Sequence, residues 1–478
     1  MKRISGYLSL LVTFLLVSFP ISAQQQGSIT GGLNGEITDS TGADLPDATV
    51  TLVGPQGSRV VTTDKFGRFK AAGLTPGFYD VTVEKEGFSK LQSKHNEVVV
   101  NSSSTLNLTM QPGNVSVTVE VTTEAVGIDT QSTAVTQNLT DTFYNSIPMP
   151  RNVSAIFYAA PGVASGQVAG APGQIGPGAA NPSIGGSSGL ENLYIVDGVT
   201  ITDQAFGSIG TYNRYHGSLG TGINLAFIKE VDVKTTAFEP QYGKATGGIV
   251  QIVTKSGGNQ YHGALAAYFG PGAWYANRYQ YYQFGYKQVA PPSTLSSPQY
   301  DASAELGGYI PGFKDKLFFF GAFNPGLRQD IMRANPGAPA PSVALGALTY
   351  STTTLSWAGK LSYKLGSATT FEASAFGDPS RHNAQPLAVG ANGISSLFPN
   401  TTASSWTFGS RNTIARLTHA ITNTWQADVS YAYNYNHFDE YPATAFYGIT
   451  DASGNSLANP TASIISGLGP DLPILSDQ

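Results

Sequence analysis

The residues closest in type to catalytic machinery are His437-Phe438-Asp439-Glu440, whose His-x-x-Glu spacing is that of a zinc-ligand pair in hydrolytic metallopeptidases. A catalytic zinc needs a third protein ligand on a rigid frame. The other histidines, at 95, 216, 262, 382 and 419, are scattered, and none follows 437. His437 instead ends a tyrosine-rich alternating stretch, where a polar cluster is expected at a strand rim. Asp197 and Asp203 could form a carboxylate pair or a cation site, but packing of the first and loop solvation of the second is the favoured reading. The Gly-rich stretch 161–189 lacks the Lys-Ser/Thr ending of a phosphate loop. No catalytic residue, metal or cofactor is therefore expected, and the chain is not expected to be an enzyme.

The elements that must carry any other activity begin with export. Lys2 and Arg3 precede an apolar run, Leu8 to Phe19, and then Pro20-Ile21-Ser22-Ala23. Positive, apolar and small-residue zones in that order predict a signal peptide over 1–23. Cysteine is absent, so an exported chain is not held by disulfides. A net charge of −5 without a basic cluster gives no footprint for nucleic acid. Charged residues are only 12%, while Gly (55) and aromatics (11%) run high. After residue 23 no apolar run is long enough for a spanning helix. Such a chain can enter a membrane only as a closed barrel, since lipid leaves open strand edges unsatisfied.

From 28 to 111, short strands alternate with turn chemistry: 33–38, 48–53, 60–63, 67–71, 77–84 and 98–110 are the expected strands. Their spacing predicts a small all-β sandwich, with Phe69, Tyr79, Val81 and Val83 in its core and turns at Asp64 to Gly67 and Pro76-Gly77. Gly35-Glu36-Ile37-Thr38-Asp39, Leu45 to Val50, Thr63 to Phe69, and Leu74 to Val83 followed by Gly87-Phe88 are similar to the carboxypeptidase regulatory-like domain. The resemblance implies a transthyretin/Ig-like sandwich with a carbohydrate-binding-like fold, although no aromatic platform for a sugar stands out.

Val115 to Val121 is a strictly alternating strand after Pro112-Gly113. A helix is expected over 151–160, a loop over 161–189, and strands over 192–196, 228–234 and 247–255. Glu191 to Val199, Ile228 to Val233, and Tyr242-Gly243-Lys244-Ala245-Thr246-Gly247-Gly248 running on to Lys255-Ser256-Gly257 resemble the plug of TonB-dependent outer-membrane receptors. Asn259 to Gly263 directly after them is similar to the Oar-like branch. The motif residues Asp197, Gly198, Tyr242, Gly243, Gly247, Gly248 and Lys255 are read as structural, the glycines allowing tight turns. The resemblance implies a segment that pairs with TonB by strand addition. Val115, Val117, Val119 and Val121 are the candidates, the alternative being that they form the plug's own first strand.

Beyond 258, Trp425, Ala427, Val429, Tyr431, Tyr433 and Tyr435 share one face, and Gln426, Asp428, Ser430, Ala432, Asn434 and Asn436 the other. Leu355 to Lys364 alternates in the same way. About ten residues per tilted strand, apolar outside and polar inside, is the transmembrane-barrel pattern. The expected organisation is mainly β: signal peptide 1–23, sandwich 24–112, plug 113–257 and an antiparallel transmembrane barrel over 258–478. Plugged barrels use about 22 strands, this region has room for about eight, and Pro470 to Gln478 has no strand pattern. The chain is accordingly expected to stop within the barrel and to form a partial, curved sheet. The function implied is a bacterial outer-membrane receptor and transporter, its sandwich in the periplasm. Its expected partners are a TonB-type coupling protein, outer-membrane lipid and a ligand the sequence does not name. The alternative is a surface adhesion or structural β-protein without transport activity.

Overall fold

The computed structural model describes residues 29–113, 118–121, 135–149, 151–164, 181–203, 206–213, 217–238, 242–243, 245–274, 282–283, 286–287, 294–333, 346–366, 368–386, 389–390, 393–394, 403–421 and 425–442. The expected signal peptide, Val115, Val117, Lys244 and the final segment lie outside these residues.

Two sheets build the sandwich. One contains β1 (Gly31–Asp39), antiparallel to β4 (Arg68–Leu74) and parallel to β7 (Ser103–Thr105) and β8 (Leu108–Met110). The other runs in the order β3 (Gly57–Thr62), β2 (Thr49–Gly54), β5 (Gly77–Glu84), β6 (Lys90–Val98), β9 (Thr118–Val121). Period-two alternation puts Val50, Leu52, Tyr79, Val81 and Val83 inward against Leu33, Ile37, Phe69, Leu106 and Met110. Asp64 Oδ1 accepts the N–H groups of Phe66 and Arg68, while Gly67 takes a left-handed φ of 66°, so the expected turn forms. Two expectations are corrected. The strand read over 98–110 is instead three pieces, because the chain dips at Val99 to Ser102 into the neighbouring domain. Also, β6 was not anticipated. Its sequence, Lys-Leu-Gln-Ser-Lys-His-Asn-Glu-Val, carries few apolar residues, and an inward polar pair, Ser93 and Asn96, bonds within the core.

A second sheet follows in the order β10 (Val135–Thr140), β17 (Ile228–Thr236), β18 (Ile249–Thr254), β13 (Leu193–Val196), β14 (Val199–Thr200). One face packs on α1 (Asp141–Ser146) and α2 (Val153–Phe157), with Phe157, Tyr194, Phe227, Val231, Val250 and Ile252 fully buried. The helix expected over 151–160 is only one turn and a half, N-capped by Asn152, whose Oδ1 accepts the Ala155 N–H at 2.9 Å. The stretch 161–189, expected as a loop, holds two short strands. There β11 (Val163–Ala164) pairs β12 (Ser183–Ile184), and Ile184 is a core residue. A further small pair is β15 (Thr211–Asn213) with β16 (Gly217–Leu219).

The rest of the chain forms one large antiparallel sheet. Its members are β19 (His262–Gly270), β22 (Thr294–Ser296), β23 (Gln299–Tyr309), β24 (Leu317–Arg333), β25 (Ala347–Lys364), β26 (Thr369–Gly377), β27 (Ser380–Pro386), β30 (Ala403–Ala420) and β31 (Gln426–Pro442). Two small pairs, β20 (Tyr282–Gln283) with β21 (Tyr286–Lys287) and β28 (Val389–Gly390) with β29 (Gly393–Ile394), decorate its connections. β22 continues the line of β23, and β27 that of β26, so seven long strand traces result. Strands of 17 and 18 residues (β24, β25, β30, β31) exceed the ten expected from bilayer thickness, so they project beyond it at one end. Leu355, Leu361, Leu417, Val429, Tyr431 and Tyr433 are exposed on the outer face, and Ser356, Lys360 and Ser362 are buried on the inner one. β19 and β31 occupy the two edges and do not pair with each other among the described residues. At one end the connections 309–317, 364–369 and 420–426 are short; those at the other end, such as 333–347 and 386–403, are long.

Candidate functional site

Asp197 and Gly198 form the two-residue turn between β13 and β14, with φ of 46° and 78°. Both central residues of such a hairpin need positive φ, which Asp-Gly supplies. The turn aims the Asp197 carboxylate at the large sheet. Its Oδ1 accepts the Thr254 N–H at 2.9 Å and Lys360 Nζ at 3.1 Å, and its Oδ2 accepts the Thr254 hydroxyl at 2.7 Å. Lys360 Nζ also donates to Thr254 Oγ1 at 3.2 Å, and Arg416 Nη2 to the Asp197 carbonyl at 3.3 Å. Asp197 and Lys360 side chains are 3% and 5% exposed, so this pair is desolvated. Burial works to raise the Asp197 carboxyl, but the Lys360 ammonium and the Thr254 donors outweigh it and hold the group below the ordinary carboxylate range. A charge pair this deep, spanning two domains, is a latch between the plug sheet and β25.

Other pairs fasten the same two bodies. Lys255 Nζ reaches both Glu305 oxygens on β23, at 2.9 and 2.8 Å. Arg151 holds Asp301 through two bonds, at 3.1 and 3.0 Å, and lies over the Tyr268 ring. Asn224 Nδ2 donates to Asn324 Oδ1 on β24 at 2.6 Å. Above them, toward the long connections, a cavity of about 700 Å³ opens between plug and wall. Tyr300, Asp301, Arg328, Asp330, His382 and Trp406 contribute to its lining, and His382 stacks on Trp406 at 4.6 Å.

The part of the plug sheet's second face that meets the sandwich is polar. Glu230, Asp232, Lys234 and Gln251 are buried there. Both Glu230 oxygens accept the Val100 N–H, at 3.0 and 3.1 Å, and Asn101 Nδ2 donates to Asp232 and Gln251. Burial pushes Glu230 up to about 8, helped by the Asp232 and Glu97 carboxylates and opposed by the Val100 N–H and Lys229. The sandwich also touches the short-turn rim. Gln56 Nε2 donates to the Gly257 carbonyl at 3.2 Å, the Asn259 N–H donates to the Pro55 carbonyl, and Lys364 Nζ donates to the Gln56 carbonyl.

The sequence motif is thus brought together, with roles revised. Gly247 and Gly248 have no left-handed φ; a Cβ on Gly248 would meet Ile184 Cγ2 at 2.1 Å, and one on Gly247 Asn192 Oδ1 at 2.4 Å. They are glycine for close approach rather than for turn geometry. Tyr242 is buried with Leu193, Ile195 and Ile249, and Gly243 follows in the same bend. Asp203 accepts the Phe206 N–H and shapes its own loop, so it has partners separate from those of Asp197. Val119 and Val121 lie on β9, which runs parallel to β6 as an edge of the sandwich sheet, Leu91 opposite Val119. The alternative of a first plug strand does not fit, since β10 fills that place, and the sandwich sheet extends past Pro112-Gly113. His437 and Glu440 lie three apart on β31, hence on opposite faces, and cannot share a metal. Glu440 instead accepts Trp406 Nε1. Among the described residues no group of three metal-ligating side chains occurs. Lys360, Arg416, Glu305, Asp301 and Glu230 were missed by sequence reading; a lysine facing inward on a membrane strand (Lys360) was the available signal.

A strand-built plug fastened by buried charges to the inner face of long, outward-apolar antiparallel strands, with a sandwich at the short-turn end, is the plan of a plugged membrane β-barrel. Residues 32–111 match the family model of the carboxypeptidase regulatory-like domain. The chain is 30% identical over 297 residues to the TonB-dependent transporter Oar of Myxococcus xanthus, covering 59% of this chain and 25% of Oar. It therefore spans about a quarter of the length of that curated relative. Among solved structures it is similar to the outer membrane transporter YddB of Escherichia coli, at 13% identity and a TM-score of 0.48, covering 63% of this chain and 39% of that one. It is also similar to the siderophore receptor PirA of Acinetobacter baumannii, at 15% identity and a TM-score of 0.46, with 68% and 42% covered. The chain is thus similar over 297 residues to an Oar-type TonB-dependent transporter, and residues 32–111 form a carboxypeptidase regulatory-like domain.

Proposed function

We propose that this chain serves an outer-membrane receptor that takes a ligand at the long-connection end and passes it inward under the control of a TonB-type protein. The observation that carries this reading is the Asp197–Lys360 latch, which seats a plug on the inner face of membrane strands. A surface adhesin has no use for a lumen stopper. Short turns face the periplasm in such barrels, so in this reading the sandwich lies on that side and residues 1–23 act as the leader for export. The coupling segment in this reading is Val115, Val117, Val119 and Val121. Among the described residues β9 pairs with β6 alone, which leaves its other edge for an added strand in this reading.

The test is a photo-crosslinking amino acid at position 119 in cells that carry the protein in their own envelope. A cross-link to the TonB-type protein is expected, and Val119→Pro should abolish it while leaving the protein in the outer membrane, because a backbone donor is removed. A protein that sits in the outer membrane, forms no such cross-link and whose deletion abolishes cell adhesion would favour the adhesin.

A further inference from the structure

We infer that the passage through this molecule runs along the inner faces of β25, β26 and β30, and that the Asp197–Lys360 latch is its gate; the inference rests on the transporter reading above. Inward residues of β25 recur at every second position, and they fall in order along one line. Thr352, Thr354 and Ser356 line the large outer cavity. Ala358 comes next, buried with Phe376 of β26 and Ile414 of β30 in the plug's own apolar core. Lys360 then borders a small cavity of about 40 Å³ together with Thr254, Thr370, Glu372 and Thr418. Lys364 borders a third, of about 530 Å³, at the short-turn end, and Gly73, Thr75, Thr370 and Thr418 line both of these lower cavities.

Between the two chambers on this wall stand the Ala358, Phe376 and Ile414 seal and the charge pair beneath it. The lower part is lined by hydroxyls, Glu372 and the Lys360 and Lys364 amines, so the passage suits a polar, hydrated solute. Its far end opens beside the sandwich residues Gln56, Arg59 and Tyr79, which makes the sandwich the floor of the exit chamber. On β23 the plug is held differently, by Lys255–Glu305 and Arg151–Asp301.

Residues 1–478 contain no cysteine, so a reporter placed among them is the one thiol of this segment. Thr370→Cys and Thr418→Cys mark the proposed passage, and Ser303→Cys, between Asp301 and Glu305, marks the β23 wall. Whole cells are treated from outside with a polyethylene-glycol maleimide too large for general porins. With the latch intact, labelling at all three should be low. Adding Lys360→Met, or Asp197→Asn as a second and nearly isosteric break, should raise labelling at 370 and 418 at least about tenfold, since unpairing a buried charge shifts such an equilibrium strongly. Ser303→Cys should stay unlabelled. Equal labelling at 303, or no gain at 370 and 418 with either break in protein confirmed in the outer membrane, would overturn the assignment. Loss of the cross-link at 119 would instead overturn TonB coupling and leave this labelling pattern standing.

Discussion

Asp197 is the residue on which most of the site turns, and its energetics are lopsided. Removing one member of a buried ion pair strands the other, at a cost of about 3–5 kcal/mol, whereas removing both can be nearly neutral. Lys360→Met should therefore destabilise the seated plug in chemical denaturation far more than the Asp197→Asn/Lys360→Met double variant does. Gly248→Ala should cost about 1–3 kcal/mol in the same assay, because its Cβ has Ile184 in its place. Glu230 adds a pH dependence. Its value is raised from the ordinary 4.5 to about 8 when the sandwich is docked, so the bound proton stabilises docking. That contribution is complete below 4.5 and is lost as pH rises through 8, a change on the order of a few kcal/mol. The facing groups are Asp232, Glu97 and Lys229, and the first two act in the same direction. Hydrogen exchange at the Val100 amide, corrected for intrinsic rate, should show protection falling between pH 5 and 8, and Glu230→Gln should flatten that profile. An unchanged slope in Glu230→Gln would assign the dependence to another group. At this scale the sequence motif pointed to Asp197 and Lys255 but not to their partners, since Lys360 and Glu305 lie on strands whose register only the folded sheet defines.

At the scale of elements, alternation was a good guide wherever one face is apolar. The strands at 77–84, 193–196 and 228–236 fall within a residue or two of where their patterns put them. It failed at β6 and β10, whose inward positions are partly polar. It also failed in length: α2 is shorter than the stretch preceding Pro161 suggested, and the membrane strands are longer than the bilayer demands. The face of β17 bearing Glu230, Asp232 and Lys234 is charged, yet it is buried because a second domain covers it. β9 supplies a prediction of its own. Residues 28–111 should fold alone as a cooperative soluble domain, and extending the segment to 121 should raise its urea midpoint, because β9 completes the edge beside Lys90 to Ser93. A non-cooperative product from both segments would mean that the sandwich needs the plug to fold.

At the scale of the whole molecule, sandwich, plug and membrane sheet were each legible, but their assembly was not. Val99 to Ser102 reaching into the plug, Gln56 against the rim and Lys360 against Asp197 are contacts between residues more than a hundred positions apart. No local pattern encodes them. The plug is seated against β25 by a buried charge pair. Hydrogen exchange on the protein in outer-membrane vesicles tests it most directly, by following peptides over 193–200, 249–254 and 355–364. All three should be protected together, and Lys360→Met should release the first two while 355–364 stays protected. Rapid exchange over 193–200 and 249–254 in the unsubstituted protein, or no change in them with Lys360→Met, would contradict it.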